Sequence, residues 1–118
     1  MKRTISLKKN CEFIRLYRKG NYYVGKYLTL YVSKNNFSMN RIGITVSKKI
    51  GKSVKRNRIK RLIKECYRFY EVMIKIGYDL IFVARMCNVV PSYSDYKKEI
   101  RFLLKKLNVI NNEVKCDC

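Results

Sequence analysis

The 118 residues contain no histidine and no tryptophan, only one proline, and only eight acidic side chains. Without histidine the commonest general base near neutral pH is missing, and zinc sites with mixed Cys and His ligands are excluded. The acids are Glu12, Glu65, Glu71, Asp79, Asp95, Glu99, Glu113 and Asp117. No two form a strand-borne pair of the kind that holds catalytic magnesium. A Gly-rich phosphate loop and a nucleophile elbow are also lacking, so catalysis by this chain alone is not expected. No uncharged apolar run approaches the ~18 residues of a membrane-spanning helix. The opening MKRTISLKKN lacks the apolar core of a signal peptide, and a cytoplasmic protein is expected. Five cysteines, an odd number without regular spacing, make a poor disulfide framework and read as reduced thiols. Cys116-Asp117-Cys118 offers half a metal site with no second half, and no role is assigned to it.

What the chain has in excess is positive charge. Lys and Arg number 28 against the eight acids, a net charge of +20. Self-repulsion of that size is tolerable when a polyanion neutralises it, which points to nucleic acid. The 47% hydrophobic content still suffices for a core, so global disorder is not implied. The length fits one domain, expected over residues 1–108, with 109–118 as a flexible tail.

The charge is concentrated in KKIGKSVKRNRIKRLIKECYRFYE, Lys48 to Glu71. Between Lys48 and Arg68 there are ten cations and a single acid, Glu65. Ile59, Leu62, Ile63, Cys66, Tyr70 and Met73 recur at helical spacing. Asn57, Arg61, Lys64 and Arg68 fall on the opposite stripe of the same wheel. The start of this helix breaks a local rule. Ser53 is a suitable N-cap, yet Lys52, Lys55, Arg56 and Arg58 surround the first turn, where cations oppose the helix dipole. A phosphate at the free N–H groups would reverse that penalty.

In chain order, a helix capped by Asn10 and stopped by Gly20 at the C′ position comes first. Tyr22 to Val24 can add an edge strand. Tyr27 to Ser33 alternates cleanly, with Leu28, Leu30 and Val32 on one face and Tyr27, Thr29, Tyr31 and Ser33 on the other. Lys34 to Asn40 suits a hairpin, followed by a strand from Arg41 to Ser47 with the same division. After the basic helix, Asp79-Leu-Ile-Phe-Val-Ala84 reads as a strand covered on both faces and parallel to a neighbour. Pro91, Ser92 and Ser94 then lead into a last helix. The expected fold is a single-domain α+β sandwich, a four-stranded mixed sheet with three helices in the order α-β-β-β-α-β-α.

The aromatic face suggests a second binding surface. Single-stranded RNA is held by stacking bases on aromatic rings, at ~1–3 kcal/mol per base. Phe13, Tyr17, Tyr27 and Tyr31 are candidates, with Arg15, Arg18 and Lys26 near them in sequence. Burial of the first helix against the sheet would use the same rings, and both readings stand at this point.

The stretch Arg41 to Glu65, RIGITVSKKIGKSVKRNRIKRLIKE, resembles the signature region of the protein component of bacterial ribonuclease P. The likeness extends to Leu7-Lys-Lys-Asn10 with Phe13, to the strand ending at Tyr31, and to Asp79–Arg85, covering about residues 7 to 107. The resemblance implies a particle in which a large catalytic RNA, with Mg2+ bound to that RNA, removes the 5′ leader of precursor tRNA. It implies RNA contacts through Arg56, Asn57, Arg58, Lys60, Arg61, Lys64 and Arg68, and the charge run itself adds Lys48, Lys49, Lys52 and Lys55. It also implies a leader-binding cleft at Phe13, Tyr17 and Tyr31, and a left-handed strand–helix–strand crossover. The expected partners are the catalytic RNA and precursor tRNA, with no membrane and no protein partner indicated. A structural ribosomal-type RNA-binding protein is the alternative, and a self-sufficient nuclease is a third reading that the scattered carboxylates disfavour.

Overall fold

The most apolar run of the chain becomes its central strand. The computed structural model describes residues 4–87 and 89–110. In chain order the elements are β1 (Thr4–Ser6), α1 (Asn10–Lys19), β2 (Asn21–Val24), β3 (Leu28–Lys34), β4 (Asn40–Thr45), α2 (Ser53–Tyr70), β5 (Tyr78–Ala84) and α3 (Tyr93–Lys106). One mixed sheet runs β1-β4-β5-β3-β2. The β5 strand is parallel to β4 and antiparallel to β3.

This order corrects two expectations. Residues 34–40 do not close a hairpin, because β5 inserts between β3 and β4. A strand apolar on both faces loses most water in the middle of a sheet, whereas β3 and β4 each carry one polar-leaning face. The sheet also has five strands rather than four. Thr4–Ser6 pairs parallel with Asn40–Ile42, and the Thr4 hydroxyl shares a 2.8 Å hydrogen bond with the Tyr67 hydroxyl of α2.

On one face α2 and α3 cover Leu28, Leu30, Val32, Leu80 and Phe82, and Ile59, Ile63, Ile100 and Leu103 are among the residues that seal this main core. Each such fully buried side chain contributes ~1.5–3 kcal/mol. On the other face α1 packs a smaller cluster of Leu7, Leu16 and Ile81, with Phe13, Tyr31 and Val83 at its edge. Tyr27 does not share that face. It precedes β3 and packs edge-on against Tyr96 of α3, with ring centroids 6.3 Å apart, so the alternation does not extend back to it.

The helix ends differ from expectation in detail. Lys9 and Lys52, not Asn10 and Ser53, occupy the N-cap positions of α1 and α2, and neither helix has a side-chain cap. Gly20 is extended (φ −73°, ψ 154°) rather than left-handed. A glycine is needed there for close approach, since a Cβ would lie 2.7 Å from the Leu16 carbonyl oxygen and 2.9 Å from that of Val32. Ser92 caps α3 through a reciprocal pair with Asp95. The first two residues of the expected tail are core: Val109 is fully buried and Ile110 nearly so, with Ile110 bridged to Ile74. The rest of the tail, including Cys116 and Cys118, lies outside the described residues. Cys66 is buried, its thiol donates to the Tyr93 carbonyl at 3.5 Å, and burial pushes its pKa up to about 11.

A largely buried ion network centred on Asp79 fixes α1 and the start of β4 to the central strand. Arg41 donates to both carboxylate oxygens of Asp79, at 2.8 and 2.7 Å, and also to Glu12. Asn35 adds a third donor to Asp79 at 2.8 Å. The bonds to Asp79, then those to Glu12, raise the Arg41 pKa against the effect of burial.

Candidate nucleic-acid interface

Helix α2 buries Ile59, Ile63, Cys66, Tyr67 and Tyr70, which leaves its other side to the cations. Lys52, Asn57, Arg58, Lys60, Arg61, Lys64 and Arg68 are exposed, as are Lys48 and Lys49 in the short 3-10 turn before the helix. Two of the expected RNA-binding residues are less free. Lys55 and Arg56 are half-buried, and Arg56 Nε donates to the Gly51 carbonyl at 3.2 Å. Arg68 faces Glu65 at 3.5 Å, but both side chains are about half exposed, where an ion pair contributes little. The first turn of α2 thus has free N–H groups, no side-chain cap, no acid and a ring of cations.

The opposite sheet face presents the aromatic residues, and strand register places them. Gly43, Ile81, Tyr31 and Tyr22 stand side by side in one cross-strand row, and Thr45, Val83, Thr29 and Val24 in the next. Helix α1 lies over the first row and leaves much of the second open: Thr45 and Val83 are half-buried and Val24 is 49% exposed. Phe13, Tyr17 and Tyr31 border this floor. The Tyr17 ring centroid is 6.5 Å from that of Phe13 and 4.9 Å from that of Tyr31. The hydroxyls of Tyr17 and Thr45 share a 3.3 Å hydrogen bond. The three rings named from sequence are therefore brought together.

Gly43 makes room for Phe13. A Cβ at this position would come within 2.6 Å of the Phe13 ring. Gly43→Ala is accordingly expected to cost ~1–3 kcal/mol, as overpacking usually does, seen as a lower urea midpoint. An unchanged midpoint would mean that Phe13 swings out of the cleft without penalty.

The cationic helix and the aromatic face meet at one groove of about 400 Å³, where Phe13 and Gly43 share the lining with Lys60, Arg61 and Lys64. It opens where β1 ends, since β1 pairs with β4 only as far as Ile42. Sequence reasoning did not join these two surfaces, because the edge strand that shapes the groove has only three residues. It also missed Tyr22, whose ring stacks on Tyr31 with centroids 5.4 Å apart at 27°. The signal was the doubled aromatic in Asn-Tyr-Tyr-Val, but only the strand pairing shows which ring faces which side.

Five of the six described acids have partners away from this groove. Glu12 and Asp79 hold Arg41, Asp95 closes the α3 capping box, and Glu65 faces Arg68. Glu99 accepts the backbone N–H groups of Lys26, Tyr27 and Leu28 at 3.0, 2.5 and 2.6 Å. Among the described residues no helix is long and apolar enough to cross a membrane.

Fold and charge together define a class: small, strongly basic α+β proteins with a cationic helix joined to an aromatic sheet floor. The sequence matches the family described as Ribonuclease P over residues 1–108. It is 46% identical to the ribonuclease P protein component of Alkaliphilus oremlandii over 114 residues, covering 97% of this chain and all of that one. The fold is similar to the RNase P protein of Staphylococcus aureus, with a TM-score of 0.81 and 33% identity over 90% of this chain and 97% of that one. A mutant of that S. aureus protein, described as defective in mRNA degradation activity, superposes with the same TM-score at 32% identity, covering 89% of each chain. The chain belongs to the ribonuclease P protein family. A ribosomal-type role is not favoured by this match.

Proposed function

We propose that this chain is the cytoplasmic protein subunit of a ribonuclease P particle that removes the 5′ leader of precursor tRNA. The cations of α2 and its preceding turn bind the catalytic RNA, and the cleft at Phe13, Tyr17 and Tyr31 receives the single-stranded leader. The observation that carries this reading is the shared groove, in which Lys60, Arg61 and Lys64 stand beside Phe13. A single strand leaving a phosphate-rich partner on α2 can pass directly onto the aromatic floor, with phosphates neutralised on one side and bases stacked on the other.

Mg2+ is assigned to the RNA subunit. The donor set of this chain does not suit it, because the described carboxylates are spread over separate elements and five of the six hold arginine or cap backbone N–H groups. The contribution of the protein is then to bind, orient and neutralise.

Phe13→Ala and Tyr31→Ala are expected to weaken binding of precursor tRNA to the assembled particle by about 5-fold or more, the first by removing a base stack and the second by removing the ring that backs the cleft. Mature tRNA, which has no leader, should bind as before. Circular dichroism and thermal melts must show both variants folded, since both rings also pack against the smaller core. Equal losses for the two substrates would assign these rings to packing alone.

A further inference from the structure

The structure assigns the outermost stacking platform of the cleft to Tyr22, with Tyr31 as its support; this rests on the leader-binding reading above and extends it. Tyr31 is half-buried and covered from two sides, edge-on by Tyr17 at 4.9 Å and face-to-face by Tyr22 at 5.4 Å. A base has little of the Tyr31 ring left to stack on. Tyr22 is 59% exposed, and its inner face lies on Tyr31 while its outer face is open. It sits on β2, the last strand of the sheet, so it stands at the far end of the row that begins with Gly43 under Phe13.

The occupant that fits is the next base of a single-stranded RNA. A lone exposed ring at a sheet edge would equally suit an apolar partner, but the surroundings are cationic. Arg15, Arg18 and Lys19 are exposed along α1. Arg85, at the end of β5, donates to the Gly25 carbonyl at 2.6 Å, just after β2. A polyanion gains from that charge, whereas a second copy of this +20 chain would be repelled by it. Tyr22 therefore sets how far along the leader the protein reads.

The test measures the affinity of the assembled particle for precursor tRNAs with a graded series of leader lengths, and for mature tRNA. Wild-type affinity should rise with leader length to a plateau. Tyr22→Ala should lower that plateau by about 5-fold, the low end of one base–aromatic stack. It should match wild type for mature tRNA and for the shortest leaders. Tyr22→Phe should keep the full plateau, and Tyr22→Leu, which still covers Tyr31 but offers no π face, should not. A loss that is the same at every length, or no loss at any length, overturns the assignment. Tyr17→Ala, run in parallel, separates the two levels. A leader-dependent loss for Tyr17→Ala but not for Tyr22→Ala refutes the role of Tyr22 alone, while no leader-dependent loss for either refutes the cleft itself.

Discussion

Arg41→Ala is expected to destabilise the fold by ~3–5 kcal/mol, the usual consequence of removing one partner from a buried ion pair. The Asp79 side chain is 4% exposed. With Arg41 gone, only Asn35 would still donate to it from a side chain. A total stability of ~5–15 kcal/mol is typical of a native domain, so the variant should melt far lower or fail to fold. Arg41→Lys should rescue little, because an ammonium cannot make the two parallel bonds to Asp79 and also reach Glu12. Arg41→Met combined with Asp79→Leu should recover much of the loss, since a buried pair is often replaceable by packed apolar side chains. Urea denaturation measures all three. A cost for Arg41→Ala under ~1 kcal/mol, the scale of an exposed pair, would show that water replaces the guanidinium.

The second large effect concerns binding. Replacing Lys60, Arg61 and Lys64 together with alanine is expected to reduce the salt slope of catalytic-RNA binding by ~1 for each phosphate no longer neutralised. Affinity should fall most steeply at low ionic strength. Stability should hardly change, as all three project from the polar side of α2. Arg68→Ala alone is expected to do less, because it removes one cation rather than three. An unchanged slope in the folded triple variant would remove the phosphate-binding role from this part of the helix.

How much of this was legible in the sequence varies with the range of the interaction concerned. The basic helix was legible because both its stripes recur at 3.6-residue spacing, and α2 buries Ile59, Ile63, Cys66 and Tyr70 as that spacing requires. The central strand was legible because a continuous apolar run must be covered on both faces. What the sequence hid depended on long-range pairing. Nothing local ties Arg41 to Asp79, 38 residues away, or moves β5 between β3 and β4. The tail boundary failed for a different reason. Asn108 takes a left-handed conformation, φ 58°, beyond the end of α3, and Val109 and Ile110 are core residues outside any helical period. Within the candidate site, residue types offered Phe13, Tyr17, Tyr27 and Tyr31, and the family resemblance narrowed these to the three without Tyr27, while Tyr22 emerged only from the register of β2 on β3.

The central claim is that this chain binds and the RNA subunit cleaves. Its arginines can hold phosphates but are too basic to accept a proton at neutral pH, and no histidine is present to do so. The most direct measurement is single-turnover cleavage of precursor tRNA in magnesium with rigorously RNA-free protein, with catalytic RNA alone, and with both. The protein alone should make no cut at the leader junction. Cleavage should occur with the RNA, and at a higher rate at moderate magnesium when the protein is added, because its cations screen two mutually repelling RNAs. Site-specific cleavage at the leader junction by the RNA-free protein would contradict this division of labour.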